Sequence, residues 1–167
     1  MKTFPAPWSV LLKAISAAAT LLCLGLLYSR FVWPGPMPLP VLLFSVLTPV
    51  LLIIICALFT VRGYVVTPDA IFVQRLIWNT RLPREGLESA EFNPEATRGS
   101  IRTCGNGGLY SFTGWYRNRT LGNYRAFVTD QARIVVLRYP GKTIVVSPGD
   151  PEEFVREVSP ETCNSSN

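Results

Sequence analysis

The chain has 167 residues, 49% of them apolar and 16% charged, with a formal net charge of +5 and no histidine. That length holds one ordinary domain, or a smaller domain plus a second element. The missing histidine removes the commonest general base and metal ligand, and so weakens most hydrolytic and metal-centred readings from the outset.

In chain order, the first two predicted elements are helices of membrane length. Trp8 to Tyr28 carries one charge, Lys13, and Leu39 to Val61 carries none. A hydrocarbon core about 30 Å thick needs roughly 20 helical residues, so the spacing predicts spans at about 8–28 and 39–61. Lys13 lies near the start of the first span, where its stem can snorkel to the interface. A cleaved signal peptide is the competing reading for this segment, because Lys2 precedes an apolar stretch containing Ala17, Ala18 and Ala19. Pro49, inside the second span, is expected to kink it.

The connection "SRFVWPGPMP" is short and proline-rich, so the two helices form a hairpin. Trp8, Tyr28, Phe31 and Trp33 suit the headgroup belts. Lys2, Lys13, Arg62, Arg75, Arg81 and Arg84 fall on one side, against Arg30 in the connection, which places both termini and residues 63–158 in the cytoplasm. Of the four cysteines, Cys23 and Cys56 lie in the spans, and Cys104 and Cys163 outside them. No pair has metal-site or disulfide-framework spacing.

The remainder reads with a period of two. "GYVVT" precedes a turn at "PDA", and "IFVQRLIW" reads as one strand running into "NTRLP". "LYSFTGWY", "YRAFVT" and the pair "RIVVLRYPGKTIVVS", joined at Pro140-Gly141, bring the count to about seven strands. Strands this closely spaced favour an antiparallel sheet closing into a barrel or sandwich. One helix follows in "DPEEFVREV", with Asp150 as N-cap, Pro151 at the first helical position and Glu153 in capping-box position. Residues 159–167 read as a disordered tail.

The stretches "YVVTPDAIFVQR", "RLPREGLESAEF" and "GSIRTCGNGGLYSFTGWYRNRTLGNYRAFVTDQARIVVLRYPGKTIVVSPGDPEEFVREV" resemble the bacterial pleckstrin-homology-like domains of small membrane proteins. The resemblance implies a bent seven-stranded barrel or sandwich plugged by the C-terminal helix, and a binding or scaffolding role without catalysis. The related phosphoinositide-binding domains hold their ligand with a basic cluster around the first hairpin. Here that turn is "VVTPDAIFVQR", with Asp69 at its tip, which argues against recognition of that type.

The candidate site lies elsewhere. From Arg98 to Lys142 there are eight basic residues and one acidic, Asp130, although the chain from Arg62 onward holds 13 basic and 11 acidic residues. Arg117, Arg119 and Arg125 surround the turn in "YRNRTLGNY", and near a membrane such a cluster meets anionic headgroups first. These three are therefore the expected lipid or ligand contacts, with solvated strand faces as the bland alternative. Tyr110, Phe112, Trp115, Tyr116 and Tyr124 form a possible stacking platform for single strands, but cross-strand packing explains such rings more simply, so no nucleic-acid partner is expected.

"PGKT" lacks the first glycine of a P-loop, and "GNGGLY" lacks the third glycine of a dinucleotide fingerprint. Neither Glu88 with Glu91 nor Glu152 with Glu153 needs a catalytic explanation. Asn118 and Asn164 begin acceptor triplets of a kind that arises by chance. The chain is thus expected to be no enzyme and to hold no cofactor or metal. Its expected role is that of a membrane-anchored binding module contacting membrane lipids. An interaction subunit docking another membrane protein is the second reading, with Ala14 and Ala18 spaced for close helix contact.

Overall fold

A computed structural model of the chain describes residues 1–33 and 35–159. Of the tail expected at 159–167, residues 160–167, with Cys163 and the Asn164 triplet, lie outside the described residues, as does Pro34 of the hairpin connection.

Helix α1 spans Val10–Val32 and α2 spans Leu39–Leu58. Ser9 starts α1 by accepting the Leu12 N–H on its Oγ at 3.2 Å, one of the orphan donors of a helix start. Both helices are long and apolar enough to cross a membrane. At 1.5 Å per residue they measure about 34 and 30 Å. Only Leu12, Ser16 and Cys23 are buried in α1, and only Pro49 in α2. Leucines and isoleucines such as Leu21, Leu24, Leu51 and Ile54 stand exposed around both, an apolar surface that water does not cover favourably.

Ten strands are present among the described residues, against the seven or so expected. In chain order they are β1 (Lys2–Pro5), β2 (Gly63–Val66), β3 (Ala70–Gln74), β4 (Asn79–Pro83), β5 (Ser89–Phe92), β6 (Ile101–Gly107), β7 (Phe112–Asn118), β8 (Gly122–Val128), β9 (Val135–Tyr139) and β10 (Lys142–Val146). Helix α3 (Pro151–Val158) follows.

The strands form a four-stranded sheet, β1-β2-β3-β4, and a six-stranded sheet, β5-β9-β10-β8-β7-β6. They do not close into a barrel. Nor is the pairing wholly antiparallel, because β10 runs parallel to β8, with Thr143 opposite Tyr124 and Val146 opposite Phe127. The stretch read as one strand through Trp78 ends at Gln74, since Arg75 N–H donates to Trp78 O at 3.1 Å and closes a turn. Tyr110, read as a strand residue, sits in the β6–β7 turn with φ +64.

The two sheets share one core. Tyr64, Ile71 and Val73 of the small sheet meet Phe127, Leu137 and Val146 of the large one, with Phe154 and Val158 of α3 closing the end. Tyr64 joins the sheets by polar contacts as well: its hydroxyl donates to Phe127 O at 2.6 Å and accepts the Ser147 N–H at 3.0 Å. Asp150 caps α3 by accepting the Glu153 N–H at 3.0 Å. The Glu153 carboxylate does not return to the cap as a capping box requires. It pairs with Lys2 at 2.6 Å and so ties α3 to β1.

Strand β1 is the main departure from the sequence reading. It precedes α1, yet it pairs antiparallel with β2 from Lys2 opposite Val66 to Pro5 opposite Gly63. Phe4 is buried and meets the Phe154 ring edge-on at 5.2 Å. The helical hairpin is therefore an insertion between the first and second strands of one sheet, and the β-domain is held at both of its ends.

Candidate anion site beside the helix pair

Backbone and side-chain contacts fix the β-domain against the helices. Ser9 N–H donates to Thr129 O at 3.1 Å, and Thr129 Oγ1 donates to Pro7 O at 2.8 Å, so the end of β8 sits at the start of α1. The β6–β7 turn reaches further along. Tyr110 N–H donates to Ser16 Oγ at 2.9 Å, and the Tyr110 hydroxyl reaches Thr20 Oγ1 at 2.7 Å. Ser111 Oγ donates to Phe59 O at 3.1 Å, one of the carbonyls left open at the end of α2.

Two glycines let this hairpin form. Gly105 and Gly114 face each other across β6 and β7 at φ +119 and +137, a region that L side chains rarely adopt. A Cβ on Gly114 would stand 2.2 Å from Cys104 O, and one on Gly105 would stand 2.4 Å from Thr113 O. A β-bulge between Arg102 and Cys104 shifts the register just before this pair.

Alternation along β8 puts Arg125 on the same face as Phe127, and cross-strand register sets Trp115 of β7 opposite Arg125. Where this face runs beyond the shared core it looks at the last turns of α2. A cavity of about 440 Å³ lies between them, walled by Leu52, Ile55 and Phe59 on one side and by Thr113, Trp115 and Phe127 on the other. Arg75 and Arg125 line it; Arg102 borders it too, but it pairs with Tyr116 across the strands and also lines the groove on the opposite face of the sheet.

Arg75 is the unusual member. It is only 8% exposed, and its Nε and Nη1 are buried with no hydrogen-bond acceptor among the described residues. Its guanidinium lies 5.2 Å from the Phe59 ring, 5.6 Å from Trp78 and 5.2 Å from Phe127. Such cation–π contacts are worth about 0.5–2 kcal/mol each and supply no acceptor. Each buried donor left unsatisfied costs about 1–3 kcal/mol, and arginine cannot escape by deprotonation at ordinary pH. Burial pushes its pKa down, and the neighbouring Arg125 pushes it down further. Arg75 is thus a buried cation with two unpaired donors and a second cation, Arg125, nearby.

Of the three arginines expected from the sequence, only Arg125 lines this cavity. Arg117 stands on the same sheet face, two residues beyond Trp115 and opposite Asn123. Arg119 lies in the turn between β7 and β8, at the hairpin end remote from the β6–β7 turn. Arg75 and Arg102, which also border the cavity, are not among those three. The visible signal was an arginine set inside an apolar run, "FVQRLIW"; its burial was not visible. That run also leaves Leu76 and Ile77 exposed, Ile77 at 73%, at a turn whose Trp78 packs edge-on against Phe59 of the α2 cap at 5.3 Å.

The opposite face of the large sheet carries a groove of about 760 Å³ beside Arg98, Arg102, Tyr116 and Tyr124. Its two tyrosine rings stack on each other at 5.8 Å, and their hydroxyls donate to Asn106 O and Ser100 Oγ, both at 2.7 Å. The rings thus pack across strands. Among the described residues no group of three or more acidic or cysteine side chains is placed to hold a metal ion.

A family model for the bacterial PH domain matches residues 62–161, more than half of the chain, leaving β1 and both long helices outside the match. No curated protein and no solved structure shows significant similarity to the chain. With a β-domain of two sheets sharing one core and a C-terminal helix closing its end, the chain belongs to the bacterial PH domain family.

Proposed function

We propose that this chain is a membrane-anchored, non-catalytic binding module that engages an anionic ligand at the cytoplasmic membrane face, through Arg75 and Arg125. The observation that carries the reading is Arg75, which lines the cavity and whose buried guanidinium has two nitrogens without a hydrogen-bond partner among the described residues. The family supplies the general role of a binding module.

Membrane geometry supports the same reading. From Ser16, where the β6–β7 turn touches α1, to Val32 is about 25 Å, and from Leu39 to Cys56 is about 27 Å. These lengths are close to the hydrocarbon thickness of about 30 Å. Setting that boundary near Ser16 leaves Lys13 among the headgroups, brings Trp8 and Tyr110, whose rings lie 6.0 Å apart, to the interface, and lowers Leu76 and Ile77 onto the membrane. The cavity then opens at headgroup level. The surplus of lysine and arginine on this side gives it to the cytoplasm.

Thermal unfolding of the full chain in nanodiscs tests the proposal. Replacing one third of a phosphatidylcholine bilayer with phosphatidylglycerol raises the midpoint for the wild type and much less for Arg75→Gln with Arg125→Gln, because a ligand bound only by the folded state stabilises it. Equal midpoints in both bilayers for both proteins, with no rise for the wild type on adding inorganic phosphate, would refute it.

A further inference from the structure

We infer that the ligand of this cavity is a single anionic phospholipid drawn sideways from the leaflet, its phosphate between Arg75 and Arg125 and the upper part of one acyl chain lying along α2. This rests on the anion-binding reading of the same site and names its ligand class.

The charged groups all stand on one side, among the apolar Leu109, Trp115 and Phe127, and the α2 side has none. The arginines and Asn106 stand on the β-domain side, while Leu52, Ile55 and Phe59 of α2 wall the other side. A free inorganic anion satisfies the first group and leaves the second against water. An amphiphile satisfies both. Leu52 and Ile55 are also half-exposed on the surface of a membrane-length helix, so the residues that line the cavity are ones the lipid tails reach. Leu52 lies about 10 Å from Phe59 along α2, which matches the step from headgroup to upper acyl chain.

Size agrees as well. A volume of about 440 Å³ falls within the roughly 300–1,000 Å³ of small-molecule sites. It takes a headgroup and the first carbons of a chain, with the rest of the lipid remaining in the bilayer. The Gly105–Gly114 pair contributes no side chain to this floor, and the Cβ that either would carry collides with the facing strand. The site is distinct from the β2–β3 hairpin, whose tip holds Asp69.

Native mass spectrometry of the full chain in mild detergent, mixed with dioleoyl phosphatidylglycerol or dioleoyl phosphatidylcholine, tests the inference, with glycerol 3-phosphate and inorganic phosphate as soluble competitors. Expected is one retained phosphatidylglycerol per chain, with about 10- to 100-fold weaker retention of phosphatidylcholine, as the loss of charge-assisted hydrogen bonds implies. Arg75→Gln and Arg125→Gln each weaken retention by a similar factor, and Ile55→Trp, which fills the apolar end, does so with the arginines intact. Arg117→Gln with Arg119→Gln leaves it unchanged. A melting curve for each variant confirms that it is folded, and Arg125→Gln serves where Arg75→Gln is not. Displacement of the lipid by equimolar glycerol 3-phosphate or phosphate, or indifference to Ile55→Trp, would overturn the lipid assignment and leave the anion reading standing. Equal retention of both lipids with no phosphate binding, or wild-type retention by both arginine variants, would overturn the two together.

Discussion

Arg75 and Arg125 share one aromatic ring: their guanidinium carbons lie 5.2 and 5.0 Å from the ring centre of Phe127. Two like charges around one buried phenyl repel each other, and neither has an ion-pair partner within the described residues. A third charge of opposite sign turns this repulsion into a clamp, which is the physical basis of the proposed site.

Strand β1 is expected to be indispensable, although it lies outside the family match. Phe4→Ala removes a buried ring that packs on Phe154 and should cost about 3–5 kcal/mol. Urea unfolding of the full chain in micelles checks this. A loss below about 1 kcal/mol would mean that β1 is not docked.

Gly114→Ala should disrupt the β6–β7 hairpin. The new Cβ meets Cys104 O at 2.2 Å and the backbone has φ +137, so strain of about 1–3 kcal/mol adds to a collision that only a backbone shift relieves. Hydrogen exchange should speed up selectively from Ile101 to Asn118. Gly99→Ala provides the contrast, since its left-handed φ of +68 is strained but nothing lies within 4 Å of the added carbon.

Alkaline pH should destabilise the fold through Tyr64. Burial raises its pKa to about 12, from an ordinary value near 10. The folded state therefore holds the proton more tightly than the unfolded chain. This contribution is fully present below pH 10 and is lost as pH rises from about 10 to 12, at most about 2–3 kcal/mol. Tyr116, also raised to about 12 by burial, adds to the same window. Tyr64→Phe should be less stable than wild type at pH 8, having left Phe127 O and Ser147 N–H without their bridge, and the gap should narrow by pH 11. A gap that widens with pH would contradict the assignment.

Cys104 reports orientation. It is exposed on β6, whereas Cys23 is buried and Cys56 half-buried in the long helices. In a Cys163→Ser background, a membrane-impermeant maleimide should label Cys104 in inverted membrane vesicles and spare it in intact spheroplasts. The reverse pattern would move the β-domain to the other side of the membrane.

The sequence made legible what depends on local pattern. The two apolar runs became α1 and α2, Pro140-Gly141 became the turn between β9 and β10 with Gly141 at φ +70, and Asp150 capped α3. It hid what depends on distant partners. "KTFP" holds one apolar ring and a proline, and becomes a strand only because β2, some 60 residues later, offers its edge. Arg125 was legible as part of a basic stretch, but Arg117 and Arg119 sit toward or at the other end of that hairpin, because sequence spacing does not reveal which end of a β-hairpin meets the helices. Arg75 escaped because an arginine at a strand end is ordinarily solvated. Here the distant Phe59 and Phe127 join Trp78 in packing around its guanidinium and bury it.

The most direct test of the central claim follows the Nε–H of Arg75 itself by nuclear magnetic resonance in the full chain in phosphatidylcholine nanodiscs, with the signal assigned by its loss in Arg75→Gln. The account predicts that adding phosphatidylglycerol shifts this resonance downfield and slows its exchange with solvent as the donor gains an acceptor, saturating at one lipid per chain. A resonance that stays in place while those of Arg117 and Arg119 move would contradict it.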